Sequence, residues 1–193
     1  MKRPHRPAIP HGFTLIELLV VVALISIMLS IAVPSFASFI SNYRATAAIN
    51  EVMQGVTMTR AEALKRGRRV TMLPNDASQV PSVSGSWSNG WTVFVDLNND
   101  LVLNGSDVVI YKHPALPTSI TITGAGSYST PFSGANYVAF DGTGYPRLNG
   151  GTQLSGGIVL TDSAINVTNR RTLCLAILGR PRIVKDTPDP CTS

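Results

Sequence analysis

The chain begins with a basic leader that is followed by a long apolar run. The leader, residues 1–12, contains three basic residues and no acidic one, and the run from Phe13 to Val33 contains a single charge, Glu17. A helix of this length spans about 30 Å, the thickness of the hydrocarbon core of a bilayer. The pattern therefore predicts a membrane-spanning helix. It also makes Glu17 a candidate functional residue, because a lone carboxylate costs about 2.5–3.5 kcal/mol in such a segment.

Beyond Pro34 the apolar residues recur at spacings of two to four, with charged residues between them. This is the pattern of an amphipathic helix that has one face on a hydrophobic core. Gly67 follows two basic residues and is a suitable helix end. We therefore predict one long helix, with a membrane-spanning and assembly part at residues 13–34 and an amphipathic part at residues 35–66.

Residues 67–193 have the pattern of a β-rich domain. Short runs of β-branched and aromatic residues alternate with segments that are rich in Gly, Ser, Pro and Asn. Strands are predicted at residues 69–73, 91–95, 108–112, 120–123, 137–140, 158–161 and 173–178. The predicted fold class is α+β, in which a long N-terminal helix packs on a C-terminal antiparallel β domain.

The string GFTLIE, residues 12–17, stands between the basic leader and the apolar run. It resembles the type III signal of type IV pilins and pseudopilins. The resemblance implies that a prepilin peptidase cuts between Gly12 and Phe13 and that the new N-terminus is methylated. It also implies that Glu17 pairs with the N-terminal amine of a neighbouring subunit, and that Pro34 is the helix-kinking proline of this family.

Two simpler interpretations of the N-terminal segment compete with this one. A secretory signal peptide would have a shorter apolar region and a small-residue cleavage site after it. A plain membrane anchor explains the length of the run but leaves Glu17 without a role.

Further strings resemble the GspH/FimT branch of the pilin-like proteins, and they extend over most of the chain. They are RAEA at residues 60–63, WSNGWTVFVD at 87–96, FDGTG at 140–144 and GRPR at 179–182. The branch contains the H-type pseudopilin of type II secretion and minor pilins of type IV pili. The resemblance implies a pilin-like fold and a single-pass bacterial inner-membrane protein with a periplasmic domain. It also implies that the protein contacts membrane lipid first and other pilin subunits after it enters a pilus or pseudopilus filament.

The GRPR string is the main clue to function. FimT-type minor pilins have a GRxR motif near the C-terminus that binds DNA during natural transformation, and the resemblance implies the same role here. Arginine suits this role because its planar fork binds phosphate oxygens bidentately. The candidate DNA-binding residues are Gly179, Arg180, Arg182, Lys185, Arg170 and Arg171. The alternatives are an ordinary solvated basic tail and, for the whole protein, a FimU-like structural or priming minor pilin or an H-type pseudopilin.

Two other polar clusters are each open to two interpretations. The basic run at residues 65–69 either caps the helix and pairs with neighbouring subunits, which we favour, or extends a phosphate-binding track. Asp96, Asn98, Asp100, Asn104 and Asp107 have the oxygen spacing of a calcium loop. A polar turn is favoured over calcium binding, because Leu101 stands where an EF-hand loop has glycine.

The composition limits the kinds of binding and catalysis that the chain is expected to carry out. The whole chain has a net charge of +5. Without the leader, 13 basic and 11 acidic residues remain, which gives a net charge of +2. The overall charge is therefore weak evidence for binding to nucleic acid. One histidine, His113, lies outside the leader, and we predict no enzyme, metal or cofactor. In an exported domain, Cys174 and Cys191 are expected to form a disulfide that holds the C-terminal tail, with two free thiols as the alternative.

Overall fold

A computed structural model describes residues 13–193 except 79, 125–131, 133–134, 163–168, 186–190 and 192–193. The chain divides into two compact units, Met1–Phe39 and Ile40–Ser193. Helix α1 comprises Leu15–Arg66, so it begins two residues after the predicted start and ends at the predicted residue. The backbone of Pro34 is helical, and its side chain lies outside the described part.

In the first unit, α1 is apolar and uncovered. The described side chains from Phe13 to Phe36 are all exposed. The most apolar window of the helix has a mean hydropathy of 2.8 and no buried residue, and the helix is long and apolar enough to cross a membrane. Together with the sequence pattern, this favours a membrane-anchoring role for this part of α1.

In the second unit, one face of α1 is buried. Ala45, Ala48, Ile49, Val52 and Val56 are at most 3 % exposed, and their spacing of three and four residues places them on one side of the helix. Polar residues such as Arg44, Gln54 and Thr57 occupy the exposed side. The predicted amphipathic helix is thereby confirmed.

Two four-stranded sheets complete the second unit. The first has the order β3-β2-β1-β5, and the second has the order β4-β6-β7-β8. Every neighbouring pair of these strands is antiparallel. The strands are β1 Val70–Pro74, β2 Trp91–Val95, β3 Val108–His113, β4 Ile120–Gly124, β5 Val138–Phe140, β6 Gly156–Asp162, β7 Asn169–Leu175 and β8 Pro181–Lys185. The predicted α+β class is confirmed.

The hydrophobic core joins the helix and both sheets of this unit. Its largest fully buried side chains include Trp87, Trp91, Phe94, Phe132 and Phe140. Trp87 lies in a short 3-10 helix, Trp87–Asn89, that precedes β2. Burying aromatic side chains of this size contributes much of the hydrophobic stabilisation of a domain.

The end of the second sheet differs from the prediction. The predicted strand at residues 173–178 begins earlier, at Asn169, and ends at Leu175. The predicted C-terminal tail contains an unpredicted strand, β8, which pairs with β7 at the sheet edge. Pro181 is compatible with the first position of an edge strand, because it lacks only the N–H group that an edge leaves unpaired.

Candidate nucleic-acid interface

The GRPR string lies at the turn between β7 and β8. The amide of Gly179 donates a hydrogen bond to the carbonyl of Ala176 (2.7 Å), and the amide of Ala176 donates to the carbonyl of Arg180 (3.2 Å). Gly179 has a φ of 73°, which glycine adopts without the steric cost that other residues incur. The turn places Arg180 directly before β8 and Arg182 within it, and both side chains are exposed.

Gly179 itself is buried against the domain. A Cβ atom at this position would lie 3.0 Å from both the carbonyl oxygen of Gly144 and Cε1 of Phe140. On α1, the Arg60 guanidinium donates through Nη1 to the carbonyl of Gly179 (3.0 Å) and through Nε to that of Gly144 (3.1 Å). Gly179 was predicted among the DNA-binding residues; its structural role is to fix the turn that presents the two arginines.

The strand geometry separates the other candidate residues into two groups. Directly paired residues of antiparallel strands project to the same face of a sheet, and faces alternate along each strand. Arg182 pairs with Cys174, whereas Lys185 pairs with Arg171. Arg182 therefore lies on the face that carries the disulfide, and Lys185 lies on the opposite face at the end of β8.

Arg171 does not join the exposed cations. It is 9 % exposed, and its guanidinium donates to the carbonyl of Arg170 (3.1 Å) and to Oδ1 of Asn42 on α1 (3.4 Å). The prediction that Arg171 contributes to a phosphate-binding surface is corrected here, because the side chain faces the helix and is enclosed. Arg170 projects to the opposite face, as Arg182 does, and is half-buried.

The disulfide between Cys174 and Cys191 is present. It joins the chain beyond β8 to the face of β7 that lies beside Arg182. The predicted pairing is therefore confirmed, and residue 191 is held against one face of the second sheet, at β7.

The basic run at the end of α1 is partly neutralised. Arg66 Nε lies 2.7 Å and Lys65 Nζ 3.4 Å from the carboxylate oxygens of Glu62. The hydrogen bond from Arg66 is the main cause that lowers the pKa of Glu62. Arg69 donates to the carbonyl of Asn99 (3.4 Å), and the Arg68 side chain is exposed.

The acidic loop between β2 and β3 is a hydrogen-bonded turn. Asp96 is buried and accepts from the amides of Asp100 and Leu101, each at 3.2 Å. Asp107 accepts from the amides of Leu97 (2.9 Å) and Asn104 (3.0 Å). Within the described ranges, no group of three or more His, Cys, Asp and Glu side chains is arranged to hold a metal ion.

His113 has a packing role. Its ring stacks on that of Trp91, with centroids 3.9 Å apart, and its Nε2 atom lies 3.5 Å from a carboxylate oxygen of Glu51. The ring also lies edge-on to that of Tyr111, and its Nδ1 atom is 2.7 Å from the carbonyl oxygen of Pro114.

Glu17 is part of a helix N-cap. Its carboxylate accepts from the amide (2.9 Å) and the hydroxyl (2.7 Å) of Thr14, and the Thr14 hydroxyl accepts from the amide of Glu17 (3.3 Å). This reciprocal pattern is a capping box, and the T-x-x-E spacing in the sequence could have predicted it. Gly12, the predicted cleavage residue, lies outside the described residues.

The chain matches two protein-family models. One, described as type II transport protein GspH, matches residues 48–179, and the other, described as the prokaryotic N-terminal methylation motif, matches residues 10–33. Fimbrial protein Q of Moraxella bovis is 33% identical over 94 residues, which cover 49% of this chain and 59% of that protein. The matched region thus spans less than two thirds of this relative.

Solved structures show the same fold. The type IV minor pilin FimU of Pseudomonas aeruginosa superposes with a TM-score of 0.52 at 14% identity, covering 78% of this chain and 93% of that one. A second crystal form of FimU gives a TM-score of 0.50 over 72% and 91% of the two chains. At this level of identity, the similarity is one of fold.

Proposed function

We propose that this chain, which belongs to the GspH family, is a minor pilin that binds DNA through Arg180 and Arg182 during natural transformation. The family and fold are those of minor pilins and pseudopilins, which are filament subunits of type IV pili and type II secretion systems and not enzymes. The family assignment does not include DNA binding, which is the part that we propose here.

One observation carries the proposal: two arginines are presented by a turn that is fixed at several points. Arg60 holds the carbonyl of Gly179, and the disulfide holds the chain end beside β7. Arg182 lies in β8 and Arg180 directly before it, so two exposed cations stand two residues apart at this turn. A fixed presentation reduces the entropy that the side chains and backbone lose when they bind phosphate.

The expected recognition is of the DNA backbone. Phosphate contacts carry no sequence information, so duplexes of different sequence are bound alike. Arg170 projects to the same face of the sheet as Arg182 and is a further candidate contact. Arg182 pairs with Cys174, which lies about 13 Å along β7 from Arg170. Lys185 lies on the other face and is expected to contribute less.

The N-terminal segment supports a second part of the proposal. A prepilin peptidase would cut between Gly12 and Phe13, and residues 13–34 would hold the subunit in the inner membrane with its domain in the periplasm until assembly. Once freed, the amine of Phe13 would be a suitable partner for Glu17 of a neighbouring subunit, since a carboxylate in lipid is stable only when it is paired or neutralised.

A structural role is the second candidate function. The family model is named for a type II transport protein, and the fold is that of FimU. A priming minor pilin or an H-type pseudopilin would use the same anchor and domain without DNA. Such a protein has no requirement for two exposed arginines on the β7–β8 turn.

The experiment is a salt titration of DNA binding by the full chain in detergent. Fluorescence anisotropy with several unrelated duplexes is compared for the parent and for Arg180→Gln plus Arg182→Gln. In a plot of log affinity against log salt concentration, each neutralised phosphate contributes about 0.9 to the steepness of the line. The line of the double variant is therefore expected to be less steep than that of the parent by about two units.

Arg44→Gln plus Lys112→Gln is the matched control, because it removes two exposed positive charges elsewhere on the domain. It should leave the slope nearly unchanged. If the Arg180 and Arg182 double variant binds DNA as the parent does, this turn is not the DNA-binding site and the structural candidate is favoured.

A further inference from the structure

We infer that the DNA-binding surface continues from the β7–β8 turn onto the C-terminal end of α1, where Lys65 and Arg68 bind further phosphates of the same duplex. The inference rests on the proposed DNA-binding function and extends its site. Residues 65–69 and 179–182 are more than 100 positions apart in the sequence, so only the fold can bring them together.

The turn at residues 141–144 packs against both basic segments. At its first half, Gly142 lies against the backbone that follows α1, and a Cβ atom there would be 2.9 Å from the amide nitrogen of Arg68. At its second half, the carbonyl of Gly144 would lie 3.0 Å from a Cβ atom at Gly179. Since Gly142 and Gly144 are two residues apart, at most about 7 Å of backbone separates these two contacts.

Arg60 provides a second connection. It lies on α1, six residues before the helix ends at Arg66, and its guanidinium bonds to the carbonyls of both Gly144 and Gly179. The end of the helix, the 141–144 turn and the β7–β8 turn are therefore fixed to one another. A rigid ligand such as a duplex would meet them as one surface.

Two of the acidic residues near this surface are paired with cations. The single Glu62 carboxylate is shared by Arg66 (2.7 Å) and Lys65 (3.4 Å), so these three side chains keep a net charge of +1. Asp141 is paired with Arg147 Nε (2.8 Å), whereas Asp96 accepts from backbone amides, which carry no charge. Among the residues that the structure describes, no acidic side chain pairs with Arg68 or Arg180.

A polar cavity of about 520 Å³ opens beside the helix end and is lined by Arg68, Arg69, Gly142 and Asn149 among others. The cavity also has Asp96 and Asp141 in its wall, whose carboxylates are held by the bonds above. Because Asp96 and Asp141 line the cavity, a phosphate is expected to bind the exposed Arg68 side chain outside it. Phosphates follow one another every 3.4 Å of duplex axis on each strand, so a duplex that spans about 10 Å of this surface presents several.

The test adds a second charge pair to the salt titration of the full chain in detergent. Lys65→Gln plus Arg68→Gln is expected to lower the slope by about two, and to do so again when Arg180→Gln and Arg182→Gln are already present. Arg44→Gln is the control on α1, about 32 Å from Lys65 along the helix axis, and it should leave the slope unchanged. Thermal unfolding should be the same for all variants, because exposed cations contribute little stability.

The outcomes separate the inference from the function on which it rests. If the Arg180 and Arg182 variant loses slope while the Lys65 and Arg68 variant keeps it, the extended surface is wrong and the proposed function stands. If neither pair affects binding, both are wrong. If the Lys65 and Arg68 variant binds DNA normally but enters filaments poorly, the helix end is a subunit interface, and the inference is overturned.

Discussion

At the scale of single residues, the GRPR string contains a buried glycine that fixes the turn and two exposed arginines that we propose as DNA contacts. Gly179 is buried and has a positive φ, and its carbonyl is held by Arg60. Arg180 and Arg182 are exposed. Arg60 is the functional residue that the sequence analysis missed, because its partner is a backbone carbonyl 119 positions away and no local spacing signals such a contact.

The candidate cations show where sequence reasoning ends. The residue types led to the prediction of one basic cluster, but a run such as Arg170-Arg171 places its two side chains on opposite faces of a strand. Which face is enclosed depends on α1, since Asn42 accepts a hydrogen bond from Arg171. The burial of Arg171 is therefore a property of the tertiary structure and not of the C-terminal sequence.

A prediction at this scale concerns acid sensitivity. Burial alone would raise the pKa of Asp141, but hydrogen bonds from the Thr143 hydroxyl, Arg147 and the amides of Tyr145 and Thr143 hold it at about 2, against an ordinary 3.8. The folded-state pKa is lower than the unfolded one. The carboxylate therefore stabilises the fold fully above about pH 4 and loses this contribution as the pH falls to 2.

Asp141→Asn is expected to lower the free energy of unfolding at pH 7 by about 1 kcal/mol, a value reduced for the partial exposure of the group. The difference between parent and variant should shrink between pH 4 and pH 2. Urea unfolding of the full chain at pH 7, 4 and 2.5 measures it. A difference that stays constant over this range would contradict the assigned role.

At the scale of elements, long and regular patterns were predicted well. The end of α1 at Arg66 was marked by two basic residues and a glycine, and β2 has the predicted bounds, Trp91–Val95. The strand β8 was missed because an edge strand needs no continuous apolar pattern. Its exposed residues Arg182 and Lys185 are separated by two half-buried ones, and in the sequence this was indistinguishable from a solvated basic tail.

Glu17 gives a prediction for the start of α1. Glu17→Ala removes the capping-box carboxylate and, in our proposal, the group that pairs with a neighbouring N-terminus. The variant should insert into the membrane, because a costly charge is lost, but should be strongly depleted in filaments. Quantitative immunoblotting of sheared filaments and of membranes measures both pools.

Thr14→Val separates the two roles of this carboxylate. It removes the hydroxyl that caps the helix, at a cost of about 1 kcal/mol, and leaves the Glu17 carboxylate in place. Filament incorporation near the parent level is expected for this control. Equal depletion of both variants would assign the defect to helix capping, and normal incorporation of Glu17→Ala would remove the proposed pairing role.

At the scale of the whole molecule, the family assignment and the charge distribution answer different questions. The N-terminal motif and the α+β domain identify a filament subunit of the pilin type, and they are shared by proteins with different tasks. The net charge without the leader is only +2, so a DNA-binding function must depend on where the cations lie. In the domain, the 141–144 turn contacts the backbone at Gly67 and Arg68 and the backbone at Gly179, so two basic segments adjoin it.

The most direct test of the central claim is the transformation frequency of the bacterial host when its chain carries Arg180→Gln and Arg182→Gln. Filament incorporation should equal that of the parent, since both side chains lie away from the N-terminal assembly segment in the sequence. Transformation should fall about tenfold or more, because two charge-assisted contacts are lost and each contributes about 1 kcal/mol or more. Arg44→Gln plus Lys112→Gln should transform as the parent does. Parental transformation by the Arg180 and Arg182 variant, with the variant protein present in filaments, would contradict the account.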